Sequence, residues 1–513
     1  MKRDAYMNQV GGDKAKRRGG LALVAVAALM AGCSLQPVYE RPAAPVAATY
    51  PTGDAYKPST GGSGSTTLPA VDIGWRNFLA DPRLQRLVEL ALQNNRDLRV
   101  AVLNVAQVQA QYRIQRAALF PQVSGDASVS NSRTPASVSS SRTASISHDY
   151  SVGLSVSWEI DFFGRLQSLS DAAFQQYLAT AYARQAAEIL LVSQVANQYL
   201  TILASGEQLA VTQSTLKTAQ ASYKLVQLQF DTGTATELDL RLAQTVVEQA
   251  QANYAAQVRT RAQAENALVL LVGQPLPPDL PPMVRLGEQP ILADVPAGLP
   301  SDLLARRPDI LEAEEILRAE NANIGAARAA FFPQITLTGA FGTASSTLGG
   351  LFAPGSAAWS FLPSLAAPIF NAGANRAQLD VAKLQKDIGI AQYEKAIQTA
   401  FREVADGLAA RGTYDDQLAS LQRFTDAQQR RLELADMRYK NGVDSYLNVL
   451  TAQTDFYNAQ LALVSARLNR LTNLVDLYRS LGGGWIERTG DEPRPADVPV
   501  PPSWSPTFSE GRK

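Results

Sequence analysis

One histidine, His148, and one cysteine, Cys33, are the whole supply of imidazole and thiol in 513 residues. A single thiol excludes an intramolecular disulfide and any cysteine-built zinc or iron–sulfur centre. A single imidazole argues against the histidine-rich constellations that dominate acid–base and metal chemistry. His148 stands beside Asp149 in a stretch rich in Ser and reads as an exposed loop residue, not a ligand. With no paired nucleophile and base, the sequence predicts no catalytic residue, no metal and no cofactor. The 47 basic residues are balanced by 47 acidic ones, so the basic face that a nucleic-acid binder needs is not expected.

The position of the one thiol is informative. Lys14-Ala15-Lys16-Arg17-Arg18 precedes an apolar run from Leu21 to Met30, and Leu29-Met30-Ala31-Gly32-Cys33 follows. A basic segment, a short apolar core and small residues before a cut describe a secretory signal over residues 1–32. The run falls short of the roughly 20 residues of a spanning helix. The Leu-Met-Ala-Gly-Cys segment resembles the bacterial lipobox, which implies a lipidated Cys33 as mature N-terminus. The following residue, Ser34, is not the Asp of inner-membrane retention, so the resemblance implies the outer membrane. Met7 is an alternative start that leaves this signal intact. Residues 33–74, rich in Pro, Gly, Ser and Thr, are expected to form an extended tether, and the tail from Glu492 to Lys513 is similarly Pro-rich.

The elements between these ends occur twice. Arg116-Ala117-Ala118-Leu119-Phe120-Pro121-Gln122-Val123 returns as Arg328-Ala329-Ala330-Phe331-Phe332-Pro333-Gln334-Ile335. Arg96-Asp97-Leu98 matches Pro308-Asp309-Ile310, Phe230-Asp231-Thr232-Gly233 matches Tyr439-Lys440-Asn441-Gly442, and Gln244 matches Gln453. Each half is predicted to run helix, β-hairpin, long helix, tight turn, return helix. The first repeat covers 75–272, with a hairpin at 121–160 and helices at 166–230 and 237–272. A linker at 273–305 leads to the second repeat at 306–481, with a hairpin at 333–370 and helices at 375–440 and 443–481. Residues 482–513 close the chain.

Period-two alternation carries the strand reading. Tyr150, Val152, Leu154, Val156, Trp158 and Ile160 alternate with Ser151, Gly153, Ser155, Ser157 and Glu159. Val123 to Ser130 and Gln334 to Phe341 repeat the pattern, while a fourth strand near 357–370 is interrupted by Pro363. Apolar on one face and small or polar on the other suits either a soluble sandwich or a membrane barrel. Four strands cannot close a barrel, and an open edge in lipid leaves unpaired backbone groups at several kcal/mol each, so closure requires several copies. A trimer supplies twelve strands; a dimer supplies eight. Leu166 to Phe230 and Asn375 to Tyr439 contain no Pro, and at 1.5 Å per residue each spans on the order of 95 Å, a length suited to a coiled-coil-like tube.

The paired Arg-Ala-Ala-(Leu/Phe)-Phe-Pro-Gln segments, Asp161-Phe162-Phe163-Gly164-Arg165, Tyr439-Lys440-Asn441-Gly442-Val443-Asp444-Ser445-Tyr446-Leu447 and Leu481-Gly482-Gly483-Gly484-Trp485 together resemble the TolC/OprM family, in its NodT-type lipoprotein branch. The similarity runs from about residue 33 to 490. It implies a mainly α mixed fold: a homotrimer with a 12-stranded outer-membrane β-barrel, a periplasmic α-barrel and an equatorial region drawn from 72–82, 274–305 and 482–490. It also implies the exit duct of a tripartite drug-efflux system, with a periplasmic adaptor and an inner-membrane pump of the resistance-nodulation-division type as partners.

In that family the periplasmic end closes on a Leu and, four residues later, an Asp. Carried over, these positions are Leu447 and Thr451; the Thr departs from the pattern, and Asp455 one turn on is a substitute carboxylate. Leu238 and Leu242, with Asp239 and Arg241 beside them, are the first-half counterparts. Asp231, Thr232, Gly233, Asn441, Gly442 and Val443 would form the tips onto which an adaptor docks. A type I protein-secretion duct, a coiled-coil spacer lipoprotein and a secreted enzyme are the rival readings. The spacer predicts no barrel strands, and the enzyme lacks a catalytic motif.

Overall fold

The structure is a computed structural model that describes residues 34–57, 68–140, 142–292, 295–296, 298 and 300–492. The signal segment, Cys33, the middle of the tether (58–67) and the tail beyond Glu492 lie outside the described residues. Among the described residues the fold is mainly helical with one four-stranded sheet. Its elements are α1 (Trp75–Phe78), α2 (Pro82–Asn94), α3 (Arg96–Ala117), β1 (Gln122–Thr134), β2 (Ser145–Ile160), α4 (Arg165–Asp231), α5 (Glu237–Val272), α6 (Pro300–Arg306), α7 (Pro308–Ala329), β3 (Gln334–Ser345), β4 (Ala357–Ala366), α8 (Ala374–Lys440) and α9 (Tyr446–Ser480). The duplication is metrical: α3 and α7 have 22 residues each, α4 and α8 have 67 each, and α5 and α9 have 36 and 35.

The chain divides into two compact units. One comprises the residues through Pro42, Ala106–Ala179 and Ala313–Tyr393, and it contains the sheet. The strands pair antiparallel in the order β1-β2-β3-β4, so the two hairpins are joined through β2 and β3, with Trp158 opposite Leu337 and Leu154 opposite Phe341. The strands run further than the alternation suggests, and the connections within the two hairpins are 135–144 and 346–356. β4 ends at Ala366, four residues before the expected limit. Pro363, paired with Leu337, is accommodated within this chain's sheet because β4 is its last strand, where a missing N–H need not break a bond to β3.

At the base of the sheet the Asp-Phe-Phe-Gly-Arg segment turns strand into helix. Asp161 accepts a hydrogen bond from the Gln167 backbone N–H at 2.7 Å, Gly164 takes a φ of 70°, and Arg165 pairs with Glu159 at 2.7 Å. Phe163 stacks on Phe332 of the second repeat, with centroids 4.6 Å apart. Gly325 of α7 lets α4 approach closely, since a Cβ there would lie 2.6 Å from the Ser168 hydroxyl.

The expected tether is docked in its described part. Arg328 donates to the Leu35 carbonyl at 3.1 Å and Asn321 to the Pro37 carbonyl at 2.7 Å. Glu314, with only 1% of its side chain exposed, accepts from Arg41 at 3.0 Å, from Arg318 at 2.8 Å and from Tyr39 at 3.4 Å. A Pro-rich segment cannot build a core of its own, but these partners lie on α7, where composition gives no hint of them.

The second unit comprises Ala43–Val105, Thr180–Glu312 and Glu394 onward. Its core gathers Phe78, Leu84, Leu87, Tyr199, Leu200 and Leu477. Phe78 stacks on Tyr478 at 4.0 Å, and the Tyr478 hydroxyl donates to the Ile73 carbonyl at 2.6 Å. Asp81 caps α2 through the Arg83 N–H and also accepts from the Tyr199 hydroxyl at 3.0 Å. Buried Arg307 donates to Asp309, to Glu403 and to the Ser480 carbonyl, tying α7, α8 and α9 together. Tyr50 and Lys57 of the docked segment reach Phe401 and Asp416 of α8.

Candidate functional site

Two tight turns, α4 into α5 and α8 into α9, carry the residues singled out by sequence. They are built alike. Gly233 and Gly442 have φ of 75° and 71°, the left-handed conformation that ends a helix without steric cost only in glycine. The Thr234 N–H reaches the Gln229 carbonyl at 2.8 Å, and the Val443 N–H reaches the Arg438 carbonyl at 2.9 Å, the same bond in each repeat. Thr232 and Asn441 bond back to Leu228 and Met437, closing the last carbonyls. Asp231, Thr232, Gly233, Asn441, Gly442 and Val443 are all exposed.

Behind the turns lies a small core of Val226, Ala243, Tyr446, Val449 and Leu450, with Leu240, Leu242, Leu432 and Tyr439 packed against it. It joins both hairpins. Burial pushes the Tyr446 phenol above its ordinary value; burial, then the Asp239 carboxylate, does the same to Tyr439. The Tyr439 hydroxyl donates to Gln229 Oε1 at 2.9 Å, linking α8 to α4. Leu447 and Leu238 stay outside this core, 54% and 68% exposed, while Leu242 packs into it.

The polar gate candidates are engaged within the chain. The Thr451 hydroxyl donates to the Leu447 carbonyl at 2.9 Å. Asp455 accepts from Arg431 of α8 at 2.6 Å, so its charge is paired across the two helices. Asp239 closes a capping box with Thr236 at the start of α5. Arg438 pairs with Asp444 across the second turn, and that hydrogen bond holds the Asp444 carboxyl below its ordinary value. Sequence reasoning passed over Gln229, Arg431 and Arg438. The Thr-x-x-Asp spacing at 236–239 is a capping signal that was there to be read.

The other functional surface is the sheet. Val123, Val129, Leu154, Phe341, Trp359, Phe361 and Leu365 stand exposed on one face. The opposite face carries Ser124, Ser128 and Ser132, each 2.7 Å from Ser155, Ser151 or Ser147 across the ladder. Apolar residues concentrated at this exposure on one face, with Arg133 and His148 only toward its loop end, are what a lipid-facing wall shows. Trp158, on the apolar face, donates its indole N–H to the Leu119 carbonyl at the sheet's base. The His148 ring lies 2.6 Å from the Asn131 amide oxygen.

These features agree with what the chain resembles. The family described as Outer membrane efflux protein matches residues 87–274 and 299–483, one stretch per repeat. The toluene efflux pump outer membrane protein TtgC of Pseudomonas putida is 48% identical over 482 residues, covering 94% of this chain and 99% of that protein. The outer membrane protein OprJ of Pseudomonas aeruginosa is 44% identical over 471 residues, covering 91% and 96%. Among solved structures, the open state of the MtrE outer membrane channel of Neisseria gonorrhoeae superposes with a TM-score of 0.78 at 41% identity, covering 90% of this chain and all of that one. With both repeats matched and nearly the full length shared, the chain belongs to the outer membrane efflux protein family.

Proposed function

We propose that this chain is the outer-membrane channel of a tripartite multidrug efflux pump and that it works as a homotrimer. The observation that carries the reading is the four-stranded sheet with one apolar and one hydroxyl-lined face. Its order leaves β1 and β4 as edges, and in lipid those edges need partners, which further copies supply by cyclic closure. Three copies make a twelve-stranded barrel. The transport energy comes from an inner-membrane pump, and a periplasmic adaptor docks on the tips at Asp231 to Gly233 and Asn441 to Val443. Cys33 carries the lipid that adds outer-membrane anchorage.

The gate in this reading is apolar. Leu447 and Leu238 are unpacked within the chain, whereas Thr451, Asp455 and Asp239 are occupied by hydrogen bonds inside it. Leucines from successive protomers narrow the passage, and splaying of the tips opens it. Single-channel conductance of the purified trimer in planar bilayers tests both parts. Wild type is expected to give small openings that grow in Leu447→Ala. Unchanged openings in the variant would remove the gate assignment and keep the channel. Failure to insert where a porin inserts would remove the channel.

A further inference from the structure

Among the described strand residues, the face opposite the apolar wall bears acids but no bases. Asp126, Asp149 and Glu159 share it, whereas Arg133, the one arginine in the four strands, has the opposite parity and pairs with Ile146. Glu159 is compensated by Arg165 at 2.7 Å. Asp126 is held differently: its Oδ2 accepts from the hydroxyls of Ser155 at 2.5 Å and Ser124 at 3.4 Å.

The row of the sheet in which Asp126 sits is unusual. Asp126 faces Gly153, Gly153 faces Gly342, and Gly342 faces Ala358. Neither glycine can bear a side chain here, because a Cβ on Gly153 would lie 2.7 Å from the Phe341 carbonyl oxygen and one on Gly342 would lie 2.3 Å from that of Val152. The flanking row holds only Ser124, Ser155, Ala340 and Ser360. A hollow of about 250 Å³ results, lined by Asp126, Gly153, Gly342, Ala344, Ala358 and Ser360. Asp126 is therefore the one group longer than a methyl in its row, standing beside a recess large enough for a hydrated ion or an ammonium group.

We infer that Asp126 determines the ionic selectivity of the strand-lined segment, which prefers cations: small metal cations and, among exported molecules, those bearing an ammonium. The inference rests on the channel reading above, in which every protomer places its Asp126 at one level of a common bore. One sign of charge along a low-dielectric wall concentrates counter-ions and excludes co-ions. The two serine hydroxyls hold the carboxylate at the edge of the recess without neutralising it.

The test is the reversal potential of the purified channel in a KCl gradient at low ionic strength, where screening extends over about 10–30 Å. Wild type is expected to favour K⁺, and Asp126→Asn, whose amide oxygen still accepts from both serines, is expected to lose at least about threefold of that preference. The measurement is repeated in the Leu447→Ala background, where the tips contribute least. In Asp126→Cys, a sulfonate-bearing methanethiosulfonate is expected to restore K⁺ preference and a trimethylammonium-bearing one to reverse it; untreated and treated wild type serve as controls. A conducting Asp126→Asn channel with wild-type reversal potential, or Asp126→Cys channels indifferent to both reagents, overturns the inference alone. A wild-type protein that forms no channel overturns the channel reading and the inference with it.

Discussion

The hydroxyl of Tyr439 and the amide oxygen of Gln229, 210 residues apart in sequence, lie 2.9 Å apart in the second unit. Each stands at the last turn of a 67-residue helix, so this hydrogen bond ties the tip of one repeat to the tip of the other. Removing it leaves the packing of the ring in place. Tyr439→Phe is expected to cost about 0.5–1.5 kcal/mol and to raise the open probability in bilayers. Gln229→Leu should do the same, and the double variant should add little beyond either single one, because both remove one bond. Additive effects would show that the two residues act separately.

The second turn is pinned by Arg438 and Asp444. The hydrogen bond from Arg438 holds the Asp444 carboxyl below its ordinary value of 3.8. A depressed carboxylate contributes stability that is complete above the unfolded value and is lost as pH falls through the folded one. Hydrogen exchange at 438–446, corrected for intrinsic rates, should therefore accelerate only below about pH 4. Asp444→Asn should show the acid-state protection already at neutral pH, with no further pH step.

Glu314 offers a test of the docked N-terminal segment. Its buried carboxylate is shared by Arg41, Arg318 and Tyr39. Arg41→Ala removes one charged donor from a desolvated group and is expected to cost about 1–3 kcal/mol in thermal unfolding. Arg41→Lys should recover only part, since the guanidinium donates to both carboxylate oxygens and an ammonium cannot match that fork.

Gly412 of α8 supports the same segment further along. A Cβ there would lie 2.2 Å from the Ala55 carbonyl oxygen. Gly412→Ala should raise helix propensity by up to about 1 kcal/mol while pushing residues 55–57 off the helix. The expected result is a nearly unchanged melting midpoint with faster proteolysis after Lys57. Equal proteolysis in both proteins would show that the contact yields without releasing the segment.

What the sequence discloses depends on how local the determinant is. The duplicated Arg-Ala-Ala-(Leu/Phe)-Phe-Pro-Gln segments, the alternation at 150–160 and the proline-free runs are local patterns, and with the family resemblance they make the mainly α fold with four strands legible. The joining of the hairpins through β2 and β3 is not local, since Trp158 meets Leu337 only after folding. Asp455 illustrates the same limit at the site. Helical spacing places it one turn beyond Thr451, but its partner Arg431 lies on another helix, and no spacing rule within α9 can find it. The docking of Tyr39 and Arg41 on Glu314 is hidden likewise, by a separation of 273 residues from Arg41.

The equal length of α4 and α8 has an evolutionary consequence. Both helices end in the same bond pattern, and their turns share one core built from Val226, Ala243, Tyr446 and Val449. An insertion of a few residues in one helix would carry its turn past the other and pull that core apart. Changes of length are thus selected in pairs, so indels in the first repeat should be matched by indels in the second, and the two halves of the gene drift in sequence while staying locked in size.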